Sequence, residues 1–198
     1  REKETPLIFS KNGFKVAVLN YTYGTNGISV PQPVIVNILD RNLVAEDLEI
    51  TKKLEPDLTV LILHWGTEYD TVPSAAQTEM AEYFLSKGAD LVIGSHPHVL
   101  QKMVWYREGL EFQNKAVVYS MGNFISNQRK PKTDGGSMVR LEIEKEGGSV
   151  RILSAGYYLT WVYTPIINFR QKFYILPCSE FENKPGFFEK EAEYVQMK

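Results

Sequence analysis

The run Leu58-Thr59-Val60-Leu61-Ile62-Leu63 constrains this chain more than any other stretch. It has the length of an ordinary strand, it lies between Pro56-Asp57 and His64-Trp65-Gly66, and only Thr59 interrupts its apolar character. A strand that is apolar on both faces needs cover on both sides, which places it inside a layered sheet and not on the surface of a solvated one. The neighbouring segments fit that placement. Residues 14–23 are rich in β-formers on both faces and read as another buried strand, broken by Gly24 and Gly27. Residues 34–39 read as a short extended segment. Residues 43–54 predict a helix capped by Asn42, with Glu46 and Asp47 in the first turn, Lys52 and Lys53 in the last, and Pro56 as its stop. Residues 73–87 predict a second helix, with Pro73 in its first turn and Gly88 past its end. Its apolar stripe is Ala76, Met80, Tyr83 and Phe84. Residues 90–93 form the next strand.

Strand, helix, strand, helix, strand implies right-handed crossovers and a largely parallel sheet, an α/β fold. The pattern then changes toward α+β. Residues 102–106, 116–120, 138–145 and 150–157 read as antiparallel strands. Leu141 and Ile143 alternate with Arg140, Glu142 and Glu144, and Gly147-Gly148 has the chemistry of a hairpin turn. The remainder, 160–198, holds two Pro-bounded apolar runs around 163–167 and 173–176, then a charged end. Neither a repeat nor a linker divides the chain, so residues 1–198 read as a single domain. With 43% hydrophobic and 23% charged residues, it is an ordinary globular sequence able to bury a core. The net charge of -2 excludes a generic electrostatic partner such as nucleic acid or an anionic membrane. No apolar run is long enough to span a bilayer, and the single cysteine, Cys178, forms no internal disulfide.

Three histidines carry the chemistry. His64 directly follows the central apolar strand, and His96 and His98 directly follow the next, in Gly94-Ser95-His96-Pro97-His98. The carboxyl ends of neighbouring strands are where open α/β sheets place a ligand crevice. In an extended segment residues i and i+2 point the same way, and Pro97 biases His96 toward that conformation, so both rings are expected to aim at one locus. Gly94 is expected to let the backbone turn just before them. A lone histidine after a strand is most often a polar loop residue, and a His-X-His pair also occurs on ordinary surfaces. All three at adjacent strand ends is a stronger pattern, and imidazoles without a nearby cysteine suit zinc, iron or manganese. Glu68 and Asp70 are candidates to orient an imidazole or to be solvated loop charges, and Asn123 to assist the site or to form a turn. Trp65 and Trp105 read as packing residues. Arg129, Lys130 and Lys132 form a basic loop that either attracts an anion or is simply solvated.

His64 to Tyr69, then Gly88 to Gln101, then Val118 to Phe124 resemble, in order and spacing, the bacterial CapA family of capsule or poly-γ-glutamate synthesis proteins. That family is similar to the calcineurin-like metallophosphoesterases, and the resemblance implies a β-sandwich flanked by helices. It extends from about residue 14 to 177. It implies His64 as the lone histidine of one metallophosphatase motif, and His96 and His98 as the pair of the next, with the first two on one metal and the last on another. The family's Asp-bearing and Asn-His motifs do not occur in this chain, nor does a further histidine for a general acid, so no residue is assigned a catalytic role. The chain therefore reads as the C-terminal half of such a domain, with an incomplete site for a divalent manganese, iron or zinc ion. Expected partners are the absent N-terminal half, another chain or a second copy, and an anionic polymer or phosphate ester as substrate. Apolar surface that the absent half would cover is expected to be exposed. The resemblance further implies a cell-envelope location, membrane-anchored or extracytoplasmic in the full-length protein. Its leading function is metallophosphoesterase-like, in capsule or poly-γ-glutamate synthesis. The alternatives are a non-catalytic scaffold or polymer-handling subunit, and a simple one-metal binding module.

Overall fold

A computed structural model of the chain describes residues 6–107, 109 and 111–181. The central apolar run becomes β3 (Leu58–His64) of a six-stranded sheet whose other members are β1 (Leu7–Lys11), β2 (Phe14–Thr22), β4 (Leu91–Ser95), β5 (Met103–Tyr106) and β6 (Lys115–Val118). The spatial order is β1-β2-β3-β4-β6-β5, with β2, β3, β4 and β6 parallel to one another and β1 and β5 antiparallel at the two edges. Of residues 116–120, expected as an antiparallel strand, 116–118 lie in β6, which pairs antiparallel with β5 as expected and parallel with β4 on its other side. The short β5 runs back along the edge, so the chain returns as β6 alongside β4 in β4's own direction. Edge strand β1 was not anticipated at all. The extended segment 34–39 reduces to one bridge, Ile38 to Thr22.

Helix α1 (Arg41–Lys52) begins earlier than its periodicity suggests, because Asp40 and not Asn42 is its cap: the Asp40 carboxylate accepts from the N–H groups of Asn42 and Leu43. Helix α2 (Ala75–Lys87) begins after Pro73, at a capping box in which Ser74 and Gln77 satisfy each other's backbone N–H groups. Gly88, at φ 115°, closes it in the left-handed conformation that only glycine adopts without cost. Its buried face is Gln77, Ala81, Phe84 and Leu85, with Met80 and Tyr83 partly buried beside them, while Ala76 is exposed. The stripe differs from the expected one because Gln77 turns inward to hydrogen-bond Gln101.

The long hairpin of β7 (Gly135–Glu146) and β8 (Ser149–Tyr163) turns at Gly147-Gly148, both with positive φ. Its strands outrun the expected ones, because pairing continues from Gly135 opposite Trp161 to Glu146 opposite Ser149, with a bulge at Glu142/Ile143. The ribbon β9 (Ile166–Ile167) and β10 (Arg170–Gln171) follows, then β11 (Tyr174–Pro177), which pairs with β8, and the short α3 (Cys178–Phe181). The charged end expected after residue 181 lies outside the described residues. No helix among the described residues is long and apolar enough to cross a membrane.

Two cores result. Leu19, Tyr21, Leu61, Leu63, Val92 and Val117 of the sheet pack against Val44 and Leu48 of α1 and Ala81, Phe84 and Leu85 of α2. On the other face Val16, Leu58, Leu91 and Ala116 meet Ile152, Leu141 and Ile143 of the hairpin. The Asp57 carboxylate accepts from Lys15 N–H and from Lys145 Nζ, at 2.8 and 2.9 Å, and ties hairpin to sheet. On β8, Leu153, Tyr157, Tyr158 and Leu159 are exposed.

Gly94 is not a turn residue but a contact residue inside β4. A Cβ there would lie 2.1 Å from the Tyr119 carbonyl oxygen and 2.4 Å from Trp65 Nε1. The substitution Gly94→Ala is expected to destabilise the chain by at least about 3 kcal/mol, since backbone must move to admit the methyl group. Gly156→Ala, at a position with open space around it, should stay within about 0.5 kcal/mol of the parent. Urea unfolding of the two variants measures the contrast.

Candidate metal centre

The carboxyl ends of β2, β3, β4 and β6 lie level, because the parallel register sets Thr22 beside His64 and His64 beside Ser95. Backbone bonds extend this alignment past the strands: Tyr23 N–H to His64 O, Trp65 N–H to Ser95 O and Met121 N–H to Gly94 O. The loops that leave these ends therefore share one crevice. The His64 and His96 ring centroids are 4.6 Å apart, and those of His96 and His98 are 6.0 Å apart. Glu68, His96 and His98 offer ligand atoms within 4.8 Å of one another, a spacing that can hold a metal ion. His64 stands beside this trio and outside it.

The histidine pair does not converge by extended-chain alternation. His96 has φ 103° and His98 φ 62°, so both are in left-handed backbone. The preference of a residue before proline for extended backbone is overridden by tertiary bonds. Met121 N–H binds Gly94 O at 3.1 Å, and Tyr69 N–H binds Pro97 O at 2.8 Å, folding the segment into a bend. Non-glycine residues in such conformations cost of order 1–3 kcal/mol each and cluster at functional sites.

Hydrogen bonding decides which nitrogen of each ring is free. Asn123 Nδ2 donates to Thr133 O at 2.7 Å and to Gln128 Oε1 at 3.1 Å. That orientation turns Oδ1, an acceptor only, toward His98 Nδ1 at 3.0 Å. His98 therefore carries its proton on Nδ1, and its Nε2 lone pair faces Glu68 Oε1 at 3.8 Å. Thr22 Oγ1 donates to Gly24 O at 3.0 Å, so it accepts from His64 Nδ1 at 3.0 Å and leaves His64 Nε2 as a free lone pair as well. Burial, and after it the nearby His98, holds the His64 pKa below its ordinary value. Burial, then His64, does the same for His96 against the opposing pull of Glu68. Neutral imidazoles with exposed lone pairs are the form that binds metals.

The site also contains residues that sequence reasoning did not single out. Tyr23 lies over the cluster, its ring 4.3 Å from His96 and 5.6 Å from His64, and Tyr69 lies 6.2 Å from His98. Thr22 orients His64. Their strand-end or loop positions beside the histidines were the available signal. Asn123 reaches His98 directly, whereas Asp70 takes part through its backbone carbonyl, which accepts from Gln101 Nε2 at 2.8 Å. Trp65 is buried and packs parallel to Tyr119. Trp105 packs on the second core beneath the Arg107 guanidinium.

The family model of the bacterial capsule synthesis protein PGA_cap matches residues 1–128. This chain belongs to that family. Capsule biosynthesis protein CapA of Bacillus anthracis is 32% identical over 144 residues, 70% of this chain and 34% of the relative. PGA biosynthesis protein CapA of Bacillus subtilis (strain 168) is 36% identical over 96 residues, 48% of this chain and 23% of the relative. The chain thus spans about a third or less of the length of these curated relatives. A solved structure similar to it is the calcineurin-like phosphoesterase YfkN from Bacillus subtilis, with a TM-score of 0.42 at 16% identity, covering 77% of this chain and 49% of that one. Capsule synthesis associates the family with the cell envelope.

The depressed histidine pKa values give a pH dependence. Below the ordinary imidazole value of about 6.5 the unfolded chain takes up protons that folded His64 and His96 resist, so stability falls as pH drops from 7 through 6.5 and levels off below the folded values. Thermal melting between pH 8 and 5 should show this decline. In His64→Gln the decline should be shallower.

Proposed function

We propose that this chain carries much of the metal site of a phosphoesterase-like protein that acts in capsule polymer synthesis of the poly-γ-glutamate type at the cell envelope. The observation that carries the reading is the convergence of Glu68, His96 and His98, with His64 beside them, at the carboxyl ends of parallel strands. The donor set fits a divalent manganese, iron or zinc ion: imidazoles, two of them oriented by Thr22 and Asn123 with Nε2 left free, and one carboxylate. When bound, such an ion would supply Lewis acidity to a phosphoester oxygen and a nucleophile at neutral pH.

The chain's own residues do the rest. Asn123 fixes the ring of His98, held in turn by Thr133 and Gln128. Thr22 fixes His64, and burial keeps His64 and His96 unprotonated at neutral pH. Tyr23 lies against both imidazoles in a tilted arrangement and packs closest to His96. Within this reading, a further segment of the longer protein, or a second copy of the chain, supplies more anionic ligands and covers the exposed apolar residues of β8. Two facts support it: the cluster contains a single carboxylate, and Leu153, Tyr157, Tyr158 and Leu159 are exposed together.

Calorimetric titration with manganese or zinc tests the metal site. The parent chain is expected to bind one ion weakly. Asn123→Ala should weaken binding about 10- to 100-fold by releasing His98, and His98→Ala should abolish it. Hydrolysis of p-nitrophenyl phosphate by the full-length protein, lost in His96→Ala, separates a catalyst from a scaffold. Tight metal binding with no hydrolysis by the full-length protein would favour the scaffold.

A further inference from the structure

The loop after β6 carries the basic residues Arg129, Lys130 and Lys132, and the reactions considered so far use none of them. Its base is bonded to the histidine cluster. Gln128 and Thr133 both accept from Asn123 Nδ2, and Asn123 Oδ1 accepts from His98. The loop therefore stands against the His98 side of the crevice and cannot shift without moving the amide that orients that ring.

Two of its cations are placed, and neither has a carboxylate partner among the described residues. The Lys130 ammonium lies 3.9 Å from the Tyr69 ring centroid. Tyr69 is itself fixed by left-handed backbone at φ 70° and by its N–H bond to Pro97 O, and its ring lies 6.2 Å from that of His98. A cation over an aromatic face is held in position without being neutralised. Arg129 is folded back on the loop, donating from Nη1 to Gln128 O at 2.8 Å and from Nη2 to Ser126 O at 3.3 Å. These carbonyls satisfy donors but cancel no charge, and Arg129 Nε is buried without a partner. A guanidinium held by neutral groups and, at the next residue, an ammonium held over a ring that lies 6.2 Å from that of His98 put uncancelled positive charge in the loop next to the cluster.

We propose that Lys130, seated on Tyr69, is an anion-binding arm, with the charge of Arg129 at the preceding position of the loop reinforcing it, and that it takes a negatively charged oxygen group of the substrate next to the group held at the Glu68, His96 and His98 cluster. This deepens the proposed function and rests on it. The shared chemistry is an oxyanion, a phosphoryl or a carboxylate group, and Lys130 is the specificity-determining residue because it is exposed while Arg129 is partly buried and its guanidinium donates to loop carbonyls.

Isothermal titration of the protein with inorganic phosphate, and separately with a γ-linked triglutamate, tests this with manganese present and again in EDTA. Lys130→Gln is expected to weaken anion binding about tenfold, the scale of one charge-assisted contact. Lys132→Gln, which removes the same charge from the same loop, should change it less than twofold. Tyr69→Leu, which takes away the seat but not the charge, should weaken it severalfold with the melting temperature monitored in parallel, and Lys130→Arg, which keeps both charge and ring, should leave anion binding near the parent level. Preference for phosphate or for the triglutamate identifies the oxyanion. Equal effects of Lys130→Gln and Lys132→Gln, or no effect of either, would overturn the arm. Loss of metal binding alone, with anion binding and its Lys130 dependence intact in EDTA, would instead overturn the metal reading and leave the arm standing.

Discussion

One contact holds the crevice together. The Trp65 indole N–H donates to the Tyr119 carbonyl at 3.0 Å, passing over Gly94, where a side chain would fill the space. Trp65 follows His64, Gly94 precedes His96 by two positions, and Tyr119 precedes Asn123 by four. The bond thus joins the ends of β3, β4 and β6, the three strands whose loops bring His64, the His96/His98 pair and Asn123 to one place. It is buried, where a lost partner costs about 1–3 kcal/mol for the group left unsatisfied. The parallel stacking of Trp65 on Tyr119 adds shape to the same joint. Close approach of three backbones, more than any single side chain at the mouth, decides whether the histidines meet.

That rigidity supports backbone strain. Tyr69, His96 and His98 all have positive φ, and each departure costs of order 1–3 kcal/mol. The cost is offset from elsewhere in the fold: a helix-covered core on one side of the sheet, and the Gln77–Gln101–Asp70 chain of hydrogen bonds bracing the loop after β3. The return is a cluster ordered before any ligand arrives. Both Nδ1 atoms that face hydrogen-bond partners are protonated, and the Nε2 lone pairs of His64 and His98 are available. A site assembled in this way does not have to reorder rotamers or tautomers on binding.

The sequence made the layered architecture legible wherever a local pattern was strong. The apolar run of β3, the Gly88 stop of α2 and the Gly147-Gly148 turn were all readable from residue chemistry alone, as was the placement of the histidines at neighbouring strand ends. What escaped depends on partners far along the chain. β1 exists because β2 offers it an edge, and β7 and β8 run long because they pair with each other beyond their own alternation. The extended backbone expected for His96 from Pro97 lost to bonds from Met121 and Tyr69. Gly94 reads as a turn residue in sequence and proves to be a contact residue, because Tyr119 and Trp65 come from elsewhere. For Thr22, Tyr23 and the seat of Lys130 on Tyr69 the sequence offers position alone, because their contacts are dictated by sheet order and not by adjacent residues.

Charge balance in the crevice points in one direction. His64 and His96 are kept neutral by burial, and the cluster contributes one carboxylate, Glu68. With a divalent cation bound, such a set would compensate only part of its charge, and the crevice would stay positive and favour an oxyanion. Lys130, held over Tyr69 without a carboxylate partner among the described residues, adds to that field instead of opposing it. The net charge of the chain is -2, so the positive region is a local construction and not a consequence of composition. A slightly acidic protein that gathers cationic groups beside neutral ligands at the carboxyl ends of its parallel strands attracts anions at one point, which is the arrangement that discriminates by position.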